Sequence, residues 1–261
     1  MKLMILFIFW NLLHAEPVEE NWYHPKATTS WQWQLNGTLN LGYNVDLYDV
    51  DLFDTSKKTI HLLHKDGKRV ICYFSAGSYE DWREDADRFA ENVKGMQMDG
   101  WDELWLDIRD DTLKTIMRHR MQLAKEKGCD GVEADNVDAY VNKSGFPLQA
   151  QEQLAYNKFL AKEAHTRGLC IGLKNDLNQV EQLVEYFDFA VNEQCNEYNE
   201  CEKLKPFINA DKAVLNAEYI DDSRYKTQDA KDALCKKMKK QKISTLLLPY
   251  ALDDSFRYSC D

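Results

Sequence analysis

One unit recurs along this chain of 261 residues: a short β-forming run, a polar exit, then a stretch of helical periodicity. The clearest copy covers residues 112–140. From Thr112 to Lys127, Leu113, Ile116, Met117, Met121 and Ala124 share one helical face, and Gly128 stands where a helix C-cap glycine is expected. Beyond it, Val132 and Ala134 alternate with Gly131, Glu133 and Asp135, which predicts a strand over 130–135 with both carboxylates on one face. Similar strands are expected at 31–35, 45–49, 69–75, 169–174, 189–193, 213–218 and 245–248. Helices are expected to end near Asp66-Gly67 and to cover 149–167, 178–187 and 227–240. Repeated βα units imply parallel pairing with right-handed crossovers, and eight of them in one domain of this length fit a single (β/α)8 TIM barrel of the α/β class. An open doubly wound sheet is the runner-up, although no Gly-x-Gly-x-x-Gly follows a strand to support its dinucleotide-binding form. Residues 81–110 break the rhythm, with Trp82, Trp101 and Trp105 among acids, and read as an elaborated loop after the third strand.

Residues 1–15 have the form of a secretory signal: Lys2, an apolar run from Leu3 to Leu13, then His14-Ala15. Residues 16–30 read as an N-terminal arm and 31–261 as the barrel domain. No later run approaches the ~20 apolar residues of a membrane span. A secreted, monomeric protein is expected. Its seven cysteines suit an oxidising compartment. Cys195 and Cys201 are placed to staple one loop, and Cys235 and Cys260 to pin the tail to the last helix; Cys72, Cys129 and Cys170 are expected as buried thiols. Asn36-Gly-Thr and Asn142-Lys-Ser are glycosylation sequons. The net charge of −11 offers no basic stripe for phosphates, so nucleic acid is not expected as a partner. No cofactor is expected, and no Cys-x2-Cys spacing or paired histidines indicate a metal site.

In a barrel, strand C-terminal ends converge on one mouth. Here they bring Gln34, Asp46 or Asp49, Tyr73, Glu133, Asp135, Lys174, Asn175, Asp176, Glu193, Glu218 and Tyr219. Any one of these could be a capping residue or part of a structural ion pair. Several carboxylates at different strand ends, however, repel one another, a cost usually tolerated for function. Two facing carboxylates of unlike environment are what glycosidic cleavage needs, and Asp135 and Glu193 end strands two apart. The acidic surplus against Lys174 favours positively charged ligands over uronic acids.

A resemblance carries this further. Trp31-Gln-Trp-Gln-Leu, Asp46 to Asp51, Cys72-Tyr-Phe-Ser-Ala-Gly-Ser-Tyr-Glu, Trp105-Leu-Asp-Ile-Arg, Gly131-Val-Glu-Ala-Asp-Asn-Val-Asp, Gly172-Leu-Lys-Asn-Asp, Asn192-Glu-Gln-Cys and Ala217-Glu-Tyr occur in that order. Together, over about Trp31 to Leu252, they resemble glycoside hydrolase family 114, the endo-α-1,4-polygalactosaminidase-like proteins. The resemblance implies a (β/α)8 barrel acting on an amino-sugar polysaccharide, α-1,4-linked galactosamine, with retention. It also implies Asp135 as nucleophile and Glu193 as general acid/base. The family motif often reads Glu-Pro-Asp-Asn at Asp135; here Ala134 takes the proline's place. Two other classes compete: a divalent-metal lyase or isomerase using Glu133, Asp135, Glu193 and Glu218, which a chelator would inhibit, and a glycan-binding barrel without turnover.

Overall fold

The computed structural model describes residues 21–221 and 223–260, so the expected leader at 1–15 lies outside the described residues. Twelve strands follow in chain order: β1 (Trp31–Gln34), β2 (Leu47–Asp51), β3 (Arg69–Ser75), β4 (Ser78–Tyr79), β5 (Lys94–Gln97), β6 (Leu104–Leu106), β7 (Gly131–Asp135), β8 (Cys170–Lys174), β9 (Phe189–Glu193), β10 (Val214–Tyr219), β11 (Ser244–Leu248) and β12 (Tyr258–Ser259). The helices are α1 (Lys57–Lys65), α2 (Asp111–Lys127), α3 (Ala150–His165), α4 (Val180–Leu183), α5 (Lys205–Asn209) and α6 (Gln228–Gln241). Eight strands pair in parallel in the order β1-β2-β3-β7-β8-β9-β10-β11, with β12 antiparallel on β11. This is the (β/α)8 barrel.

Strand alternation divides the apolar residues into two cores. Trp31, Trp33, Leu47, Ile71, Phe189, Val191, Leu215, Leu246 and Leu248 form one cluster, drawn from both ends of the strand order, as curling of the sheet requires. The alternate residues, including Val50, Cys72, Phe74, Val132, Ala134, Ile171 and Leu173, pack outward with Leu113, Met117 and Met121 of α2 and Leu160 and Ala164 of α3. Between β11 and β1 the C-terminal segment closes the seam. The Leu35 and Asn36 amides both donate to the Leu252 carbonyl at 3.1 Å, and the Arg257 guanidinium donates to the Trp31 carbonyl and to Gln32 Oε1.

Local chemistry sets the long helices. The Asp110 side chain caps α2 by accepting the Thr112 amide, lysines occupy its last turn, and Gly128 ends it at φ 94°. A Gln149–Glu152 capping box starts α3.

Several expected boundaries shift. β2 starts at Leu47 rather than Val45 because it is registered on both neighbours, Trp31 against Leu47 and Asp51 against Tyr73, which carries Asp51 to its C-terminal end. The helix expected over 178–187 contracts to α4 plus turns. The Lys212 ammonium takes the Val184 and Phe187 carbonyls there, and Asp188 is drawn onto the Ile171 amide. Residues 81–110 contain most of a small antiparallel sheet, β4-β6-β5, which the weak alternation did not reveal. The cysteine expectation also needs correction. Cys195–Cys201 and Cys235–Cys260 are disulfides, but Cys72 and Cys129 form a third one at a Cα separation of 6.0 Å, leaving Cys170 as the buried thiol.

Candidate active site

Inward-pointing residues at the strand C-terminal ends change from apolar to polar or charged. Ile71 gives way to Tyr73, Cys170 to Lys174, Val191 to Glu193 and Ala217 to Tyr219, while β7 presents Glu133 and Asp135. Above them lies a cavity of about 880 Å³. Its rim carries the half-exposed Trp82 and Trp101 from the segment after β3, and Tyr250 from the segment after β11. Trp101 stacks on Tyr250 at 5.3 Å, and Tyr250 meets Tyr219 edge-on at 5.0 Å.

Lys174 is the hub. Its ammonium lies 3.0 Å from Asp135 Oδ1 and 3.0 Å from Glu193 Oε2, so those two oxygens can be no further apart than twice that distance. Asp135 also accepts the Asn136 amide on Oδ1 at 2.6 Å and the Tyr73 hydroxyl on Oδ2 at 3.1 Å. Gly77 permits this turn: a Cβ there would fall 1.8 Å from the Asn136 carbonyl oxygen. Glu193 accepts from the Tyr219 hydroxyl on Oε1 and from Asn175 Nδ2 on Oε2 at 3.2 Å. Burial pushes the Glu193 carboxyl up, but Lys174, Tyr219 and Asn175 together outweigh it and hold the group below the ordinary glutamate range.

Beneath the hub, Asp49 and Glu133 lie fully buried inside the barrel. Burial and mutual repulsion push Asp49 well up; burial raises Glu133 to about 7, opposed by Lys174, whose ammonium is 3.7 Å away. The pair therefore retains a proton near neutrality. Glu103, carried in from the segment between β5 and β6, also faces the cavity and is raised to about 7, chiefly by burial. Its Oε2 accepts from Ser78, whose hydroxyl, with that of Ser75, accepts from Asn136 Nδ2.

Asp135, Glu193, Tyr73, Lys174, Asn175 and Tyr219 thus meet in one place, with Asp49 and Glu133 directly below. Four other expected mouth residues do not; one of them, Asp176, is buried outside this cavity's lining and accepts from Asn157 Nδ2. Gln34 faces outward and pins the 36–40 loop through the Asn36 and Thr38 carbonyls and the Asn40 amide. Asp46 precedes β2 at the opposite end of the barrel, bound to the Ser30 amide and hydroxyl. Glu218 points outward between Ala217 and Tyr219 and accepts from the Asn196 amide, Asn216 Nδ2 and the Tyr225 hydroxyl. Strand alternation reverses the side taken by Gln34 and Glu218; the mouth belongs to their odd-numbered neighbours. Asn36 and Asn142 of the sequons are exposed. Sequence reasoning missed Trp33, Glu103, Asp138, Tyr250 and the cavity-lining ion pairs of Arg83 with Asp51 at 2.8 Å and Glu80 at 2.7 Å. Trp33 was readable by alternation from Trp31; Arg83 and Glu103 sit in the segment whose small sheet was not foreseen. Among the described residues, no three His, Cys, Asp or Glu side chains are grouped to hold a metal ion.

Comparison with known proteins gives a consistent picture. A family model described as glycoside-hydrolase family GH114 matches residues 13–261. Among solved structures, Aspergillus fumigatus Ega3 in complex with galactosamine is 37% identical, with a TM-score of 0.87 over 91% of this chain and 97% of that chain. The glycoside hydrolase domain of PelA from Pseudomonas aeruginosa shares the fold at 13% identity, with a TM-score of 0.69 over 87% of this chain and 96% of that one. Among curated proteins none matches.

Proposed function

This chain belongs to glycoside-hydrolase family GH114, and from that premise we propose that it cleaves α-1,4-linked galactosamine polymers, endo-acting and with retention of anomeric configuration. The observation that carries this reading is the Asp135–Lys174–Glu193 cluster at the floor of an acidic, aromatic-rimmed cavity. Sharing the Lys174 ammonium keeps one oxygen of each carboxyl close to the other, which favours the ~5–5.5 Å spacing of retaining pairs over the ~6.5–9.5 Å of inverting ones. Asp135 attacks the anomeric carbon while Glu193 gives its proton to the departing glycosidic oxygen, leaving a glycosyl ester on Asp135. Glu193 then takes a proton from water, whose oxygen displaces Asp135 and restores the starting configuration. Once Asp135 is esterified it carries no charge and no longer repels a carboxylate at Glu193, while Lys174 stays beside Glu193 and favours the basic form that the second step uses.

The substrate reading rests on charge and on a relative. Asp51, Asp54, Glu80, Glu103, Asp135, Asp138, Glu193, Asp221 and Asp253 line the cavity, against Lys174 and Arg83. Even with Arg83 matched by Asp51 and Glu80, the remaining field attracts ammonium-bearing sugars and repels uronic acids. Ega3, at 37% identity, was solved with galactosamine. Trp82 and Trp101 offer flat apolar faces to sugar rings. Three disulfides support action in an oxidising, extracellular setting, for which the leader at 1–15 is the proposed address, with Asn36 and Asn142 as exposed glycan acceptors. No helix among the described residues is long and apolar enough to cross a membrane. A monomer is proposed.

The test is incubation with deacetylated and fully N-acetylated galactosamine oligomers over a salt series, with products read by mass. Internal cleavage of the deacetylated series, with kcat/KM falling as salt rises, is expected. Equal turnover of both series at every salt concentration would contradict the substrate assignment.

A further inference from the structure

Two segments from separate parts of the barrel meet over the mouth of the main cavity. Trp101 stands in the turn joining β5 to β6, just after Gly100 at φ 86°, and its ring stacks on that of Tyr250, from the segment after β11. The small sheet carrying Trp101 begins with β4, which leaves the end of β3. In the strand order β3 and β11 are separated by β1 and β2 one way round and by β7, β8, β9 and β10 the other, so the stack spans the mouth between distant strands. Leu35, Asn36 and Asp51, from the ends of β1 and β2, line the cavity on one side of it; Asp135, Lys174 and Glu193 line it on the other.

Both ends of this span are anchored. The Met96 amide donates to the Ser144 carbonyl at 2.9 Å, and a Cβ on Gly95 would fall 2.1 Å from that oxygen, so the root of the hairpin is seated on the segment after β7. The Tyr250 amide donates to Asp221 Oδ2 at 3.0 Å, and two residues on the Leu252 carbonyl holds the Leu35 and Asn36 amides. Tyr250 packs edge-on against Tyr219, whose hydroxyl binds Glu193, so the span stands one ring away from the reacting pair. The space beneath is open at both ends. Asn36, Asp54 and Asp253 are exposed on one side; on the other the cavity passes Asp138 and Gln194 into a smaller one of about 290 Å³, edged by the exposed Tyr198. Between the anchors the only link is one stack of two rings, 44% and 47% exposed, a contact weak enough to part and admit an internal stretch of chain.

We propose that Trp101 and Tyr250 form an arch over the substrate cleft that retains a polymer chain between cuts, so that the enzyme acts processively. The proposal rests on the polymer reading above and adds how the polymer is handled. After one cut, the chain still lying under the arch leaves only endwise or by parting the stack. Its next linkage therefore meets Asp135 and Glu193 at a high effective concentration, before a second chain does. Ring faces suit this task, since stacking on a sugar has no directional hydrogen bonds that must break as the chain advances.

The experiment follows a long deacetylated galactosamine polymer at the earliest stage of hydrolysis with the wild-type enzyme, Trp101→Ala and Tyr250→Ala. Reactions are compared at equal numbers of new reducing ends, so differences in rate cancel. Size-exclusion chromatography reads the length of the residual polymer, and mass spectrometry reads the short products. In the wild type, short oligomers accumulate while most of the polymer keeps its length. In each variant the ratio of short oligomer to shortened polymer falls about tenfold. Both rings are partly exposed and lie on different segments, so a folding defect in one variant leaves the other to decide. The wild-type ratio kept in both variants, or polymer length lost ahead of short oligomers in the wild type, would overturn the arch while leaving the substrate reading intact. A wild-type enzyme inert on the polymer and on every galactosamine oligomer would overturn the substrate reading and this proposal with it.

Discussion

A general acid must arrive carrying a proton, and Glu193 is held where Lys174 and Tyr219 favour its loss. Since the carboxyl lies below the ordinary glutamate range, the protonated fraction of free enzyme falls as pH rises through that low value. The alkaline limb of kcat/KM is therefore expected below the ordinary glutamate pKa, placing best activity in acid. A profile that stays level to neutrality would transfer the acid's role to Glu103, raised to about 7 and facing the same cavity. In that case Glu103→Gln would lower kcat by about 10²–10⁴-fold, the usual span for a lost general acid; on the Glu193 assignment it leaves the position of the limb in place. At this scale the sequence was a good guide to Asp135, Lys174 and Glu193, because each ends a strand whose alternation is unambiguous. It misplaced Glu218 and Gln34 because a single step along a strand changes the face.

Elements act here mainly by holding one another's ends. The segment leaving Glu193 is fastened by the Cys195–Cys201 disulfide and by Glu218, which binds the Asn196 amide and the Tyr225 hydroxyl from behind the sheet. Glu218→Ala strands those donors in a buried place. Unfolding measurements are expected to show a loss of about 2–4 kcal/mol, and kcat is expected to fall because the Glu193 end loses its backing. Unchanged stability with lost activity would instead place Glu218 in the site, against its outward orientation. The Cys72–Cys129 bridge joins β3 to the segment before β7, the two elements that frame Asp135. It was not legible because sequence spacing carries no information on which outward-facing strand residue meets which loop.

Over the whole molecule, the eight strands and the long helices were readable because helix and strand periods differ and because Gly128 and Gly168 mark helix ends. The seam between β11 and β1 was not, since Arg257 and Leu252 act through irregular backbone that has no period. The same global view predicts how stability varies with pH. Asp138, Asp176, Glu103 and Glu133 are raised to about 6, 8, 7 and 7, so the folded protein binds protons that the unfolded chain, with carboxyls near ~4, has released. Their contribution is most favourable below the unfolded values and is lost as pH rises through about 4 to 8. Thermal unfolding is accordingly expected to give a higher Tm near pH 5 than near pH 8; a Tm that rises over that interval would show these carboxyls to be ionised and paired in the folded state.

The central claim is that Asp135 and Glu193 form a retaining pair acting on α-linked galactosamine. Proton NMR of the anomeric signals, recorded in the first minutes of hydrolysis of a deacetylated galactosamine oligomer, tests it directly. The account predicts that the α-anomer of the new reducing end appears first and mutarotates afterwards. Initial release of the β-anomer would mean inversion, and would remove Asp135 from the role of nucleophile.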